Sequence, residues 1–165
     1  MNNEEYTRSL ENRILQLEKE IEDKFLRLCD KPTYSTICSL IEEKKSHYRK
    51  HNVRYDGRGS AAMFLKENCT LTINLGRQMG HTTALQKYHT SNPLYSMYVV
   101  ISRFQLNNYK NGLVVDDLEK PGSTITKKIF LLDNFLSSSD TTQKFFKAIS
   151  DKIILQGEPP VIIMT

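Results

Sequence analysis

The apolar positions of the chain change their period partway along it. From Glu4 to about Cys29, Leu10, Ile14, Leu17 and Ile21 alternate spacings of four and three, which places them on one narrow seam of a helix. Charged residues from Glu11 to Lys24 surround the seam, and at Lys24 it breaks and shifts to Phe25 and Leu28. So short a pattern does not sustain a long coiled coil. It predicts either a helix docked on its own domain or a short coil, through residues 4–29, with a protein partner or a second copy. Asp30 and Pro32 interrupt this helix, and a second begins near Thr33 or Ser35, burying Ile37, Leu40 and Ile41.

After the turn "YDGRGS" and the short helix "AAMFLKEN", the apolar runs become short and β-rich: "LTINL", "YSMYVVIS", "KKIFLLD" and "PPVIIM". Continuous runs of this kind suit strands buried on both faces, as in a parallel sheet. Between them lie helices at His81 to His89 and at Thr141 to Leu155, the latter burying Phe145, Phe146, Ile149, Ile153 and Ile154. The alternation of strand and helix predicts an open α/β fold. In "SRFQLNNYKNGLVVDDLEKPGS", "YKNG" is a turn, "LVV" can form a short edge strand, and the rest is loop. The chain thus divides into a helical N-terminal extension, 1–58, and an α/β domain, 59–165.

Composition adds limits. A chain of 165 residues with 39% hydrophobic and 25% charged positions suits one globular domain with an appendage and argues against wholesale disorder. Three cysteines with no CxxC spacing argue against a zinc site or a disulfide framework. The N-terminus is acidic without an apolar core, and no apolar run approaches the ~20 residues that cross a bilayer, so the expected setting is the cytoplasm, with no membrane partner. The net charge of +4 gathers in Lys44, Lys45, Arg49, Lys50, Arg54 and Arg58, interleaved with Tyr48 and Tyr55 and opposed within the run only by Asp56. Base and aromatic together suit a nucleic-acid backbone, although a solvated helix face has the same composition.

The stretch "LTINLGRQMGHTTALQKY", Leu71 to Tyr88, reads as strand, glycine-bracketed turn and helix start. That is the outline of a phosphate loop, in which backbone N–H groups and a helix N-terminus face an anion. Leu71 to Leu75 would be the strand, Gly76 to Gly80 the loop, and Thr82 or Thr83 the hydroxyl for magnesium. The strict G-x4-G-K-[ST] pattern fails twice, because its first glycine falls on Leu75 and its lysine on His81.

Taken together, "LGRQMGHTT" resembles the deviant phosphate loop of the large terminase subunits of tailed phages and related viral DNA-packaging ATPases. Arg77, Gln78, Gly80 and Thr82 match that loop, and His81 departs from it. Downstream, "IFLLDN" resembles the family's acidic motif, ending in Asp133, and "PVIIMT" resembles the later strand that ends in threonines beside the γ-phosphate. The resemblance covers Leu71 to Thr165. It implies a P-loop NTPase-like open parallel sheet with its four strands in the order 1-4-3-2. It further implies phosphate contacts from Arg77, Gln78, Gly80, His81, Thr82 and Thr83, magnesium at Thr82 and Asp133, and Asn134 and Thr165 near the γ-phosphate. ATP or another nucleotide with Mg2+ would be the cofactor, in a virus-encoded protein of the host cytoplasm. The family's remaining strands, coupling motif and nuclease domain are expected to be missing.

The departures point one way. Histidine is shorter than the lysine it replaces and, with an ordinary pKa near ~6.5, mostly neutral at pH 7. Losing a charge-assisted hydrogen bond of ~1.5–3 kcal/mol weakens binding roughly ten- to a hundred-and-fifty-fold, and the more highly charged transition state suffers more. Asn134 stands where the family has a water-orienting glutamate and cannot act as a base. The expectation is a degenerate nucleotide-binding protein, a pseudo-ATPase acting through protein or nucleic-acid contacts. Two alternatives are a slow ATPase in which Arg77, Lys87 or a neighbouring subunit replaces the lysine, and an interaction module that binds no nucleotide. No other catalytic pattern is present: the histidines lack partners at metal spacing, and there is no G-x-S-x-G elbow.

Overall fold

The computed structural model describes residues 12–18, 20, 32–74, 80–106, 109, 111–120, 122 and 124–165. Five strands, β1 (Thr70–Thr72), β2 (Ser96–Val100), β3 (Leu113–Val114), β4 (Ile129–Asp133) and β5 (Val161–Met164), form one sheet in the order β1-β5-β4-β2-β3. Every pairing is parallel. The order differs from the expected 1-4-3-2 because Leu113 and Val114 pair with Val99 and Val100 as a fifth strand on that edge. The run at Val161 lies between those at Thr70 and Ile129.

Alternate residues of each strand face opposite sides of the sheet. Tyr98, Val100, Ile129, Leu131, Val161 and Ile163 share one core with Ile37, Ile41 and Tyr48 of helix α2 (Pro32–His51) and Ala84, Leu85 and Tyr88 of α4 (His81–Ser91). Val99, Phe130, Leu132 and Ile162 face the other way, onto Phe145, Phe146 and Ile149 of α7 (Ser139–Ser150) and Leu118 of α6 (Val115–Glu119). The connection from β1 through α4 to β2 runs one way along the sheet, and that from β4 through α7 to β5 runs back. Right-handed crossovers then put α4 and α7 on opposite faces. Phe145 anchors the second core, with Phe130, Phe135 and Phe146 edge-on to it at centroid distances of 5.9, 5.7 and 5.3 Å, the arrangement that ring quadrupoles favour.

Helix α2 belongs to the packing of the sheet: the buried Tyr48 hydroxyl donates to the Pro160 carbonyl at 2.9 Å, just ahead of β5. Residues 12–18 form a helix, α1, that is exposed along its length. Ile14 is 55% and Leu17 41% exposed, so over these residues the apolar seam is not docked on the domain; most of the remainder of residues 4–29 lies outside the described residues. The turn "YDGRGS" holds Gly57 and Gly59 at φ 78° and 77°, a region that favours glycine. The segment "AAMFLKEN" begins as helix α3 (Ala61–Phe64), capped by Ser60, and continues as a π-helical turn, Leu65–Cys69, that delivers the chain into β1. Helix α5 (Arg103–Leu106) is a single turn.

The expected helix to Leu155 is shorter. It stops at Ser150, and Ile154 is exposed rather than buried. The chain turns because the Lys152 ammonium reaches the carbonyls of Leu118, in the last turn of α6, and of Lys120 just beyond it. The Ile125 N–H meets the Lys152 carbonyl at 2.8 Å, and Ile125 bridges to Ile153.

Candidate functional site

In an open parallel sheet the loops that bind ligands gather beyond the carboxyl ends of the strands. Here β4 ends in Asp133, which is only 1% exposed. Its Oδ2 accepts from the Tyr98 hydroxyl at 2.7 Å and its Oδ1 from Thr165 Oγ1 at 3.3 Å. The Tyr98 hydroxyl accepts in turn from Gln86 Nε2 of α4 at 3.3 Å. Burial, and then the charge of Asp133, push the Tyr98 phenol well above the ordinary tyrosine range, so it stays a donor.

Asn134 follows in the left-handed region, at φ 63° and ψ 21°, which asparagine tolerates better than most residues. This conformation lets its N–H donate to Thr165 Oγ1 at 3.3 Å, while Leu136 N–H donates to the Thr165 carbonyl at 3.1 Å. Asp133 and Asn134 of "IFLLDN" and Thr165 of "PVIIMT", two separate motifs of the sequence, are therefore one hydrogen-bonded cluster. Asn134 itself is exposed.

Beyond β1, Ile73 N–H still pairs with the Met164 carbonyl at 2.8 Å, keeping the two strand ends level. The chain re-enters at Gly80, in the left-handed region at φ 76° as the N-cap of α4, and its carbonyl accepts the first helical bond from Ala84 at 2.9 Å. The following N–H groups, at His81, Thr82 and Thr83, lie in the first turn, where the helix supplies no partner and the dipole is positive. His81 Nε2 is buried and has no hydrogen-bond partner among the described residues. Thr82 and Thr83 are half-buried. Arg77 and Gln78 lie outside the described residues, as do Leu75, Gly76 and Met79.

His81, Thr82 and Thr83 at the start of α4 fit a bound phosphate, because an imidazole nitrogen removed from water and left unpaired is costly until an acceptor or donor meets it. They also fit magnesium carried by a nucleotide. Each Asp133 oxygen accepts one hydroxyl and keeps a second lone pair. No three His, Cys, Asp or Glu residues converge among the described residues, but nucleotide-bound magnesium needs only one or two carboxylates besides phosphates and water. The Lys87 ammonium lies 4.6 Å from the centre of the Tyr34 ring of α2.

The basic run is less free than its composition suggests. Lys45 pairs with Glu42 at 2.8 Å, Arg49 with Glu158 at 3.6 Å and Arg58 with Asp56 at 3.7 Å, so Asp56 is not the run's sole opponent. Lys44 lies 5.7 Å from the centre of the Tyr48 ring, whereas Lys50 and Arg54 are exposed. Both tyrosines serve the fold: Tyr48 is buried, and Tyr55 donates to the Gly59 carbonyl at 2.8 Å while packing on Phe64. Among the described residues, Lys50 and Arg54 are exposed and have no ion pair.

Tyr98 and Gln86 were not foreseen as site residues. The available signal was a tyrosine within the run "YSMYVVIS", two positions before the end of β2, whose hydroxyl had to find a partner once buried. No protein family, curated protein or solved structure matches the chain.

Proposed function

We propose that the carboxyl edge of this sheet holds the phosphates of a nucleotide and hydrolyses it slowly or not at all. The observation that carries the reading is the buried, unpartnered Nε2 of His81 at the start of α4. A phosphate oxygen there would complete its hydrogen bonding and meet the positive end of the helix. Thr82 and Asp133 would hold magnesium, which supplies charge neutralisation when bound. The Tyr98 and Thr165 hydroxyls donate to the two oxygens of the Asp133 carboxylate and hold it in place. Asn134 offers an amide where turnover would need a base, and its N–H is committed to Thr165. The order of motifs and their resemblance to packaging ATPases support a virus-encoded pseudo-ATPase that works through contacts with protein or nucleic acid. The exposed seam of α1 is a surface suited to the protein contact.

Calorimetric titration of the full chain with ATP, ADP and GTP, with and without Mg2+, tests the reading. Binding without steady phosphate release is expected, tightened by Mg2+ in the wild type and insensitive to it in Asp133→Asn. No binding of any of the three nucleotides at millimolar concentration would replace this reading with the interaction module.

A further inference from the structure

The Gln86 side chain joins α4 to the carboxylate at the end of β4. Gln86 lies four residues beyond Thr82 on the helix, so the two share one face, and a helical side chain leans back towards the helix N-terminus. Its Nε2 donates to the Tyr98 hydroxyl at 3.3 Å, and that hydroxyl donates to Asp133 Oδ2 at 2.7 Å. The direction of this chain of bonds is set by its middle member. A phenol has one proton, here given to the carboxylate, so only an N–H can meet its oxygen from the α4 side. Tyr98 cannot swing out of this line. Gly112 lies so close that a Cβ there would stand 2.9 Å from the Tyr98 ring, and the Tyr109 ring meets it edge-on at 5.2 Å. The Tyr109 hydroxyl in turn donates to the Gln86 carbonyl at 3.2 Å.

We infer that Gln86 is a positioning residue: through Tyr98 it sets the Asp133 carboxylate relative to the helix that carries Thr82, so that both face one magnesium ion, an assignment that rests on the magnesium reading above. Magnesium coordination is octahedral, with oxygens at about 2.0–2.1 Å, and leaves little tolerance for a carboxylate turned out of place. Asp133 is held at both oxygens, Oδ1 by Thr165 and Oδ2 by Tyr98. A donor on the Tyr98 oxygen also polarises its O–H and strengthens the bond that it gives. Gln86 therefore acts on the carboxylate without touching it.

The test is the ratio of ATP affinities with and without Mg2+, measured by calorimetry on the full chain for the wild type, Gln86→Leu and Gln86→Glu, with Asp133→Asn as the reference for a lost metal contact. The leucine variant removes the donor. The glutamate variant keeps nearly the same shape but sets a second carboxylate against Tyr98, and the two then compete for its single proton. Residues that orient a metal ligand from behind typically change metal affinity about 10–100-fold. One acting through a second residue belongs at the lower end, so both variants should lower the ratio about tenfold. A bond that served the fold alone would lower the melting temperature and leave the ratio where it was. A ratio within twofold of the wild type in either variant that still melts cooperatively would therefore overturn the assignment and leave the phosphate site standing. Loss of the folded state in both variants would mark the bond as structural and overturn it as well. Failure of the wild type to bind ATP, or binding indifferent to Mg2+, would overturn the magnesium reading and this assignment with it.

Discussion

Deleting residues 160–165 should unfold the domain rather than trim it. Val161, Ile162 and Ile163 are at most 1% exposed, and full burial of such side chains stabilises by ~1.5–3 kcal/mol each, so their loss removes about 5–9 kcal/mol. A domain of this kind has about 5–15 kcal/mol in total. The backbone loss adds to this. Strand β5 pairs with β1 on one side and β4 on the other, and removing it leaves two facing rows of unpaired N–H and C=O groups. Tyr48 also loses the Pro160 carbonyl that ties α2 to the sheet. Circular dichroism during heating should show no cooperative transition for the truncated chain. Ile162→Ala, a milder change at a fully buried position, should keep the transition but lose ~2–5 kcal/mol. A truncated protein melting cooperatively within a few degrees of the full chain would refute the placement of β5 in the middle of the sheet.

Three further outcomes follow from particular contacts. Tyr98→Phe removes the hydroxyl that donates to Asp133 and accepts from Gln86; urea unfolding should show a loss of ~1.5–3 kcal/mol, the worth of a hydrogen bond to a charged group, and an unchanged midpoint would contradict it. His89 is buried between Ser96 Oγ and the Asn111 carbonyl, and burial, with Lys127 nearby, lowers its pKa. Between that lowered value and the unfolded ~6.5 the unfolded chain binds more protons, so stability rises with pH across this window and falls on acidification below ~6.5. Urea midpoints measured from pH 7.5 to 5 should therefore fall further in the wild type than in His89→Gln, and parallel curves would remove His89 as the cause. If the basic run binds nucleic acid, replacing Lys44, Lys45, Arg49 and Lys50 with alanine should flatten the slope of about −0.9Z in log affinity against log salt on duplex DNA. Wild-type protein that fails to retard DNA or RNA even at low salt would leave the run a solvated face.

The central strands β4 and β5 were legible because they are buried on both faces: "IFLLD" and "PVIIM" are continuous apolar runs, and β4 is buried at every position. The start of α4 was legible from Gly80 and the hydroxyls after it, since only a few residue types suit that turn. The end of α7 was not. Ile153 and Ile154 extend the helical period, but a bridge to Ile125 and the reach of Lys152 to α6 turn the chain first, and both are contacts distant in sequence. Tyr98 beneath Asp133 was hidden for the same reason, because the two are neighbours only through the register of β2 on β4. The surroundings of the basic run were only partly legible. Its charges were plain, but Glu158, which pairs with Arg49, lies far along the chain, and the burial of Tyr48 depends on the Pro160 carbonyl.

The central claim is that His81 holds phosphate, and it is tested most directly by nucleotide affinity between pH 8 and pH 6 in the wild type and in His81→Lys. A phosphate held by imidazolium favours the charged form of the ring, so wild-type affinity should strengthen as pH falls. Lysine stays protonated throughout this range. The variant should therefore bind more tightly at pH 8 and show only the weak pH dependence due to the nucleotide's own terminal phosphate. It should gain no rapid hydrolysis, because Asn134 still supplies no base. Equal weakness of both proteins, with no difference in their pH dependence, would contradict the claim and mean that the start of α4 has the shape of a phosphate site without its function.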